Sequence, residues 1–273
     1  MSDTNEKTRQ TVREGYADIA EGKSTKGCCG ASAPKKLAGA IGYTNEELEI
    51  LPDGANMGLS CGNPTAIAGL KEGQVVLDLG SGGGLDVFIA AKKVGAKGLS
   101  IGVDMTPEML SKARAAISKF TEKTGLSNVE FRLGEIEHLP VADSSIDVII
   151  SNCVINLSPD KQQVWREITR VLKPGAKACV SDLALLQEIP EDIRKSASAY
   201  IGCVGGAILL DETKKMINAA GLTNVQISIK KDNMDNMVSC NKALYQSIRN
   251  LLPAGKKLSD YVVSADFTAF KKD

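Results

Sequence analysis

The residues best equipped for chemistry in this chain are cysteines. Seven of them, at 28, 29, 61, 153, 179, 203 and 240, stand against one histidine, His138. An odd count in a chain of 273 residues argues against a structural disulfide framework. Zinc sites usually pair cysteines as C-x-x-C or combine them with histidine. The only close pair here is Cys28 and Cys29, so zinc fits poorly and a softer thiophilic centre stays open. Cys153 sits in "SNCVINLSPD", directly after the apolar run "SSIDVII". That places it near the end of a buried strand, at the edge where parallel α/β sheets build their sites. A thiol there can pack, attack or ligate. Cys61 lies in "GLSCGNP" and Cys203 in "YIGCVGGA". Both are glycine-rich turns, unlike the packed interior of a helix or strand.

The elements that must position these thiols follow from the hydrophobic pattern. "QVVLDLG", "KGLSIGVD", "NVEFRLG", "SIDVIISN" and "AKACVSDL" are short apolar runs of the kind a buried parallel strand requires. Helical segments alternate with them. "TPEMLSKARAAISKFTEKTG" reads as one helix, with Thr106 as N-cap, Pro107 at the first position and Gly125 past its end. Strands alternating with helices predict a doubly wound, mostly parallel sheet. After Ile189 the rhythm breaks into two helical pieces and two alternating segments, "NVQISIK" and "DYVVSADFTAFK". The expected organisation is an N-terminal segment with a cysteine-containing loop at 1–63, a core at 64–185, and a C-terminal α+β extension at 186–273.

Between the first strand and its helix runs "SGGGLD". Glycines 80, 82, 83 and 84 let backbone pass close to a ligand at a helix N-terminus. A dinucleotide fingerprint would need glycine or alanine at position 85, where Leu85 stands, and a reading from Gly82 fails at Val87. A nucleoside without phosphates fits better. Asp104, ending the second strand, can accept both ribose hydroxyls; Met105 offers adenine an apolar face, and Glu135 can meet its edge. "DLGSGGG", "GVDMTPEML" and "LGEIEHLP", in this order, resemble the class I S-adenosylmethionine-dependent methyltransferases. The resemblance implies a seven-stranded α/β fold, S-adenosyl-L-methionine as cofactor, and cofactor contacts from Asp78, Gly80, Gly82, Gly84, Asp104, Met105, Glu135, Ile136 and Asn152.

A methyltransferase fold says little about its substrate. The cysteines say more. Cys61, Cys153 and Cys203 converging without histidine suit a trigonal-pyramidal centre, which trivalent arsenic provides. Its lone pair, opposite three sulfur ligands, can attack a sulfonium methyl in line, with no proton to remove. The segments "NMGLSCGNPTA", "VLDLGSGGGLD", "FRLGEIEHLPVADSSIDVIISNCVINLSPDK" and "IGCVGGA" closely resemble microbial arsenite methyltransferases over residues 27–221. That resemblance implies catalytic, arsenic-binding roles for Cys61, Cys153 and Cys203, with Cys28 and Cys29 as further candidates for substrate capture or redox exchange. It also implies a small thiol such as glutathione, or a thioredoxin-type protein, as reductant.

Bulk properties narrow the rivals. Lysine plus arginine equals aspartate plus glutamate, at 33 each, so no basic field is offered to nucleic acid or to an anionic membrane. The charged N-terminus lacks the apolar core of a signal peptide, no apolar run reaches membrane-spanning length, and a cytoplasmic location is expected. A methyltransferase for an organic carbon acid, such as a quinone or sterol precursor, would call for a large apolar pocket and no thiol cluster. A non-enzymatic arsenic or metal sensor would need a nucleic-acid-binding element, and no basic helix is visible. Cys179, inside "AKACVSD", and Trp165, on an amphipathic helix, read as core. His138, Lys35 and Lys36 read as loop residues, and Asn152 and Asn156 as either site or turn.

Overall fold

The structure, a computed structural model, describes residues 3–23, 33–240, 245 and 248–273. Cys28 and Cys29 lie outside the described residues. The chain opens with helix α1 (Asp3–Ala20), followed by α2 (Ala33–Ala40), α3 (Asn45–Glu49) and α4 (Pro64–Ala68). Thr44 starts α3 through a reciprocal capping box with Glu47. Asn63 caps α4 by accepting from Ala66 N, and Gly69 closes it in the left-handed conformation.

The alternating part then begins: β1 (Val75–Leu79), α5 (Leu85–Val94), β2 (Leu99–Asp104), α6 (Pro107–Ala115), α7 (Ile117–Thr124), β3 (Val129–Leu133) and β4 (Ile146–Asn152). The single helix expected after Asp104 is divided at Ala116, whose N–H reaches the carbonyls of Lys112 and Ala113 together. The last turn of α6 tightens there. Thr106 stands at the cap position, but its hydroxyl makes no cap bond; its N–H instead donates to Asp104 Oδ1 at 2.8 Å. Next come α8 (Lys161–Val171), β5 (Leu172–Leu185), the short α9 (Glu191–Arg194) and α10 (Ala197–Ile201), then α11 (Leu210–Ala219), β6 (Leu222–Lys230), α12 (Lys231–Cys240) and β7 (Val262–Lys271).

The seven strands form one sheet in the order β3-β2-β1-β4-β5-β7-β6. The first five strands are mutually parallel, and β7 runs antiparallel to both β5 and β6. Because β1 has β2 on one side and β4 on the other, the winding reverses there, and a crevice opens at the carboxyl ends of these strands. Helices cover both faces, which is why the central strands are apolar without alternation. Trp165 and Cys179 are fully enclosed, on opposite sides of the sheet in separate core clusters, as their sequence settings imply.

Candidate active site

The crevice holds a cleft of about 970 Å³, counting its open mouth, lined by Asp78, Gly80, Gly82, Asp104, Met105, Ile136, Asn152 and Cys153 among others. Gly80 has φ +66°, and a Cβ on it would lie 2.7 Å from Val154 Cβ, so only glycine lets the turn pass. Gly82 N donates to Asp104 Oδ2 at 2.8 Å. With Thr106 N on Oδ1, Asp104 is anchored at both oxygens, and each oxygen keeps a second lone pair. Burial pushes the Asp104 carboxyl upward, and these backbone donors hold it down.

Two expected cofactor contacts fall elsewhere. Gly84 does not line the cleft; a Cβ there would strike the rings of Phe131 and Phe88 at 2.8 Å, so it is a packing glycine beneath α5. Glu135 is drawn toward α1, with ion pairs to Arg9 Nε at 3.4 Å and Arg13 Nη2 at 3.2 Å. Its neighbours Ile136 and Glu137 face the cleft in its place. Helix α1 supplies a further wall through Arg9, Val12 and Tyr16, which sequence patterns did not single out because no local motif marks them.

The thiols gather at the other end. Cys61 and Cys153 are joined in a disulfide, with Cα atoms 5.9 Å apart, 92 residues apart in sequence. Cys203 is a free, buried thiol that donates to the Cys153 carbonyl at 2.9 Å. Cys153 and Cys203 adopt φ of +58° and +62°, the left-handed region that costs a non-glycine residue about 1–3 kcal/mol. Cys153 is kept in place by its N–H bond to Ser181 O at 2.8 Å. Burial pushes the Cys203 thiol well up, Asp182 adds to the rise, and a hydrogen bond with Tyr16 and the charge of Lys161 oppose it.

Asp182 completes the centre. Its carboxylate and the sulfurs of Cys61 and Cys153 lie within 4.8 Å of one another; Cys203 is not in that group. Asp182 accepts from Asn156 N at 3.2 Å, Asn156 Nδ2 at 2.9 Å and Leu183 N at 2.8 Å. Burial raises it to about 6, against these donors and Lys161. Burial in turn lowers Lys161 to about 8. Neither residue was legible as a site member, since Asp182 hides inside a strand and Lys161 in a helix's first turn. Both asparagines flanking Cys153 shape the centre: Asn156 holds Asp182, and Asn152 Oδ1 accepts from Cys61 N at 3.1 Å. His138 is exposed on its loop; Lys35 and Lys36, expected in a loop, are exposed on helix α2 instead.

The profile of the methyltransferase domain family matches residues 70–221. The chain is 41% identical over 278 residues to an arsenite methyltransferase of Halobacterium salinarum, covering 97% of this chain and 67% of that protein. It is 37% identical to an arsenite methyltransferase of Aquipseudomonas alcaligenes, covering 80% and 63% respectively. It thus spans about two thirds of the length of these curated relatives. The crystal structure of an arsenic(III) S-adenosylmethionine methyltransferase from Chlamydomonas reinhardtii superposes with a TM-score of 0.62 at 30% identity, over 88% of this chain and 73% of that one. A methyltransferase domain over more than half the chain, a glycine-turn cleft fitted to the cofactor and relatives of this identity agree: the chain belongs to the arsenite methyltransferase family of class I S-adenosylmethionine-dependent methyltransferases.

Proposed function

We propose that this chain methylates trivalent arsenic held by Cys153 and Cys203, with Cys61 as the third thiol. One observation carries the reading. Cys153 lines the cofactor cleft, is bonded to Cys61, and receives the Cys203 thiol on its carbonyl. The residues of the cleft fit S-adenosylmethionine: Asp104 for the ribose diol, the glycine turn for close backbone approach, and Met105 and Ile136 as apolar surfaces. When bound, the cofactor supplies an electrophilic sulfonium methyl, whose transfer to arsenic leaves the bonding electron pair on sulfur and oxidises arsenic by two electrons.

The chain's own part is capture and orientation. Each cysteine thiol exchanges for an arsenic hydroxyl, releasing water, so no proton remains to be removed at the methylation step. Cys153, on the cleft wall, sets the distance to the methyl; Cys203, from the segment after β5, closes on the other side. Arsenic cannot bind Cys61 and Cys153 while they are joined, so a two-electron reductant must open that bridge first. A small thiol or a thioredoxin-type protein is the natural class, and it also returns the oxidised product to the trivalent state. Cytoplasmic conditions, which keep thiols reduced, suit this chemistry. Among the described residues no helix is long and apolar enough to cross a membrane.

The test is to incubate the reduced protein with labelled S-adenosylmethionine and arsenite and to separate methylated arsenicals. Label in monomethylarsenic that is lost in Cys153→Ser supports the reading. Cofactor binding without any methylated arsenic would sink it.

A further inference from the structure

Cys61 is held more elaborately than a packed cysteine requires. Its N–H bonds to Asn152 Oδ1 at 3.1 Å, and its carbonyl accepts from Ser264 Oγ at 2.8 Å and Asn233 Nδ2 at 3.1 Å. Asn152 Nδ2 then reaches Gly62 O at 2.9 Å, Tyr43 Oη at 2.9 Å and Asp86 Oδ2 at 3.1 Å. Tyr43 is 4% exposed, and its hydroxyl donates to Asp86 Oδ1 at 2.8 Å. One phenol oxygen therefore meets the same amide side chain that fixes the Cys61 N–H. Ser60, Asp86 and Asn152 all line the cofactor cleft, whereas Tyr43 stands behind them.

We propose that Tyr43 is a positioning and specificity-determining residue, setting Cys61 in register with Cys153 so that inorganic arsenite, which needs three thiolates, is accepted. This rests on the reading of Cys61 as the third arsenic thiol. The geometry excludes a purely local role. The hydroxyl is not spent on its own segment: its partners come from α5 and from the end of β4. Its loss leaves Asp86 Oδ1 without that donor, so the carboxylate that also holds Asn152 Nδ2 can shift and carry the amide with it. Trivalent monomethylarsenic offers two exchangeable positions and is served by Cys153 and Cys203, so it does not depend on Tyr43.

The experiment is a double-mutant cycle on the reduced chain with Tyr43→Phe, Cys61→Ser and the double variant, reading dissociation constants for arsenite and for trivalent monomethylarsenic. Tyr43→Phe removes one oxygen and keeps the ring. It should weaken arsenite binding roughly 3–10-fold, the value of one buried hydrogen bond, and shift monomethylarsenic less than about 2-fold. Because Tyr43 acts through Cys61, the double variant should bind arsenite as Cys61→Ser does. Multiplied losses in the double variant, or equal losses on both substrates, would mean that Tyr43 only stabilises the fold, and the proposal falls. If Tyr43→Phe does not fold, Tyr43→His, whose shorter ring cannot reach Asp86 and Asn152 from the position of the hydroxyl, takes its place in the cycle and is read by the same two outcomes. Loss in Cys61→Ser with none in Tyr43→Phe overturns the inference alone. No loss in Cys61→Ser overturns the underlying reading and the inference with it.

Discussion

Replacing Asp182 by asparagine should change the sign of its effect on stability with pH. The carboxyl is buried, and burial holds it at about 6 against an ordinary 3.8. Between those values the folded chain retains a proton that the unfolded chain has released, so stability is greatest below about pH 4 and declines as pH rises through about 6. At about 1.4 kcal/mol per pH unit, keeping the charge buried at neutral pH costs roughly 3 kcal/mol. Asparagine removes that cost. It also turns an amide N–H₂ toward one of the three donors now bonded to Asp182, a loss of about 1–2 kcal/mol. The net expectation is a gain of about 1–2 kcal/mol at pH 7 and a loss of similar size at pH 4. For a chain of this length that is a shift of roughly 2–4 °C per kcal/mol in melting temperature. Lys161, lowered only to about 8, keeps its charge over most of this window and does not blur the comparison. Thermal unfolding of parent and variant at both pH values is the assay. The same difference at pH 4 and pH 7 would refute the argument that a charge is kept at this site against the preference of the fold.

Asp104→Ala should raise the S-adenosylmethionine dissociation constant about 10- to 100-fold, from two hydrogen bonds to ribose; calorimetry showing no change would remove the ribose assignment. Cys179→Ser buries a hydroxyl among Ala68, Val76 and Ile150 and should destabilise by roughly 1–3 kcal/mol, while turnover per folded molecule, read by active-site titration, stays near the parent's. Cys61→Ser should lose methylation of arsenite and retain it for trivalent monomethylarsenic with the methyl donor saturating; equal loss on both would show that Cys61 serves the second transfer too.

What the sequence revealed was local. Asp78, Gly80, Gly82 and Asp104 belong to short motifs at strand ends, and strand ends in an alternating pattern can be placed without knowing the rest. Cys153 was found the same way. The missed residues act across the chain. Arg9 and Tyr16 reach the cleft from α1, and Tyr43 meets Asp86 and Asn152 across 43 and 109 residues. Asp86 reads in sequence as an ordinary acid in a helix's first turn, favourable to the helix dipole. Asp182 is one polar residue in a buried strand, where no alternation exposes it. Glu135 shows the reverse error: a motif position pointed to the cleft, and two arginines on α1 claimed the carboxylate. The pairing of β7 between β5 and β6 was likewise hidden, because alternation marks a strand and not its neighbour.

The central claim is that arsenic sits on sulfur from Cys61, Cys153 and Cys203 beside the cofactor cleft. X-ray absorption at the arsenic edge, on the reduced protein loaded with arsenite, tests it most directly. Three sulfur neighbours are expected in the parent protein and two in each single serine variant of these cysteines, with three retained in Cys179→Ser. A first shell dominated by oxygen, or a sulfur count unchanged in Cys203→Ser, would contradict it.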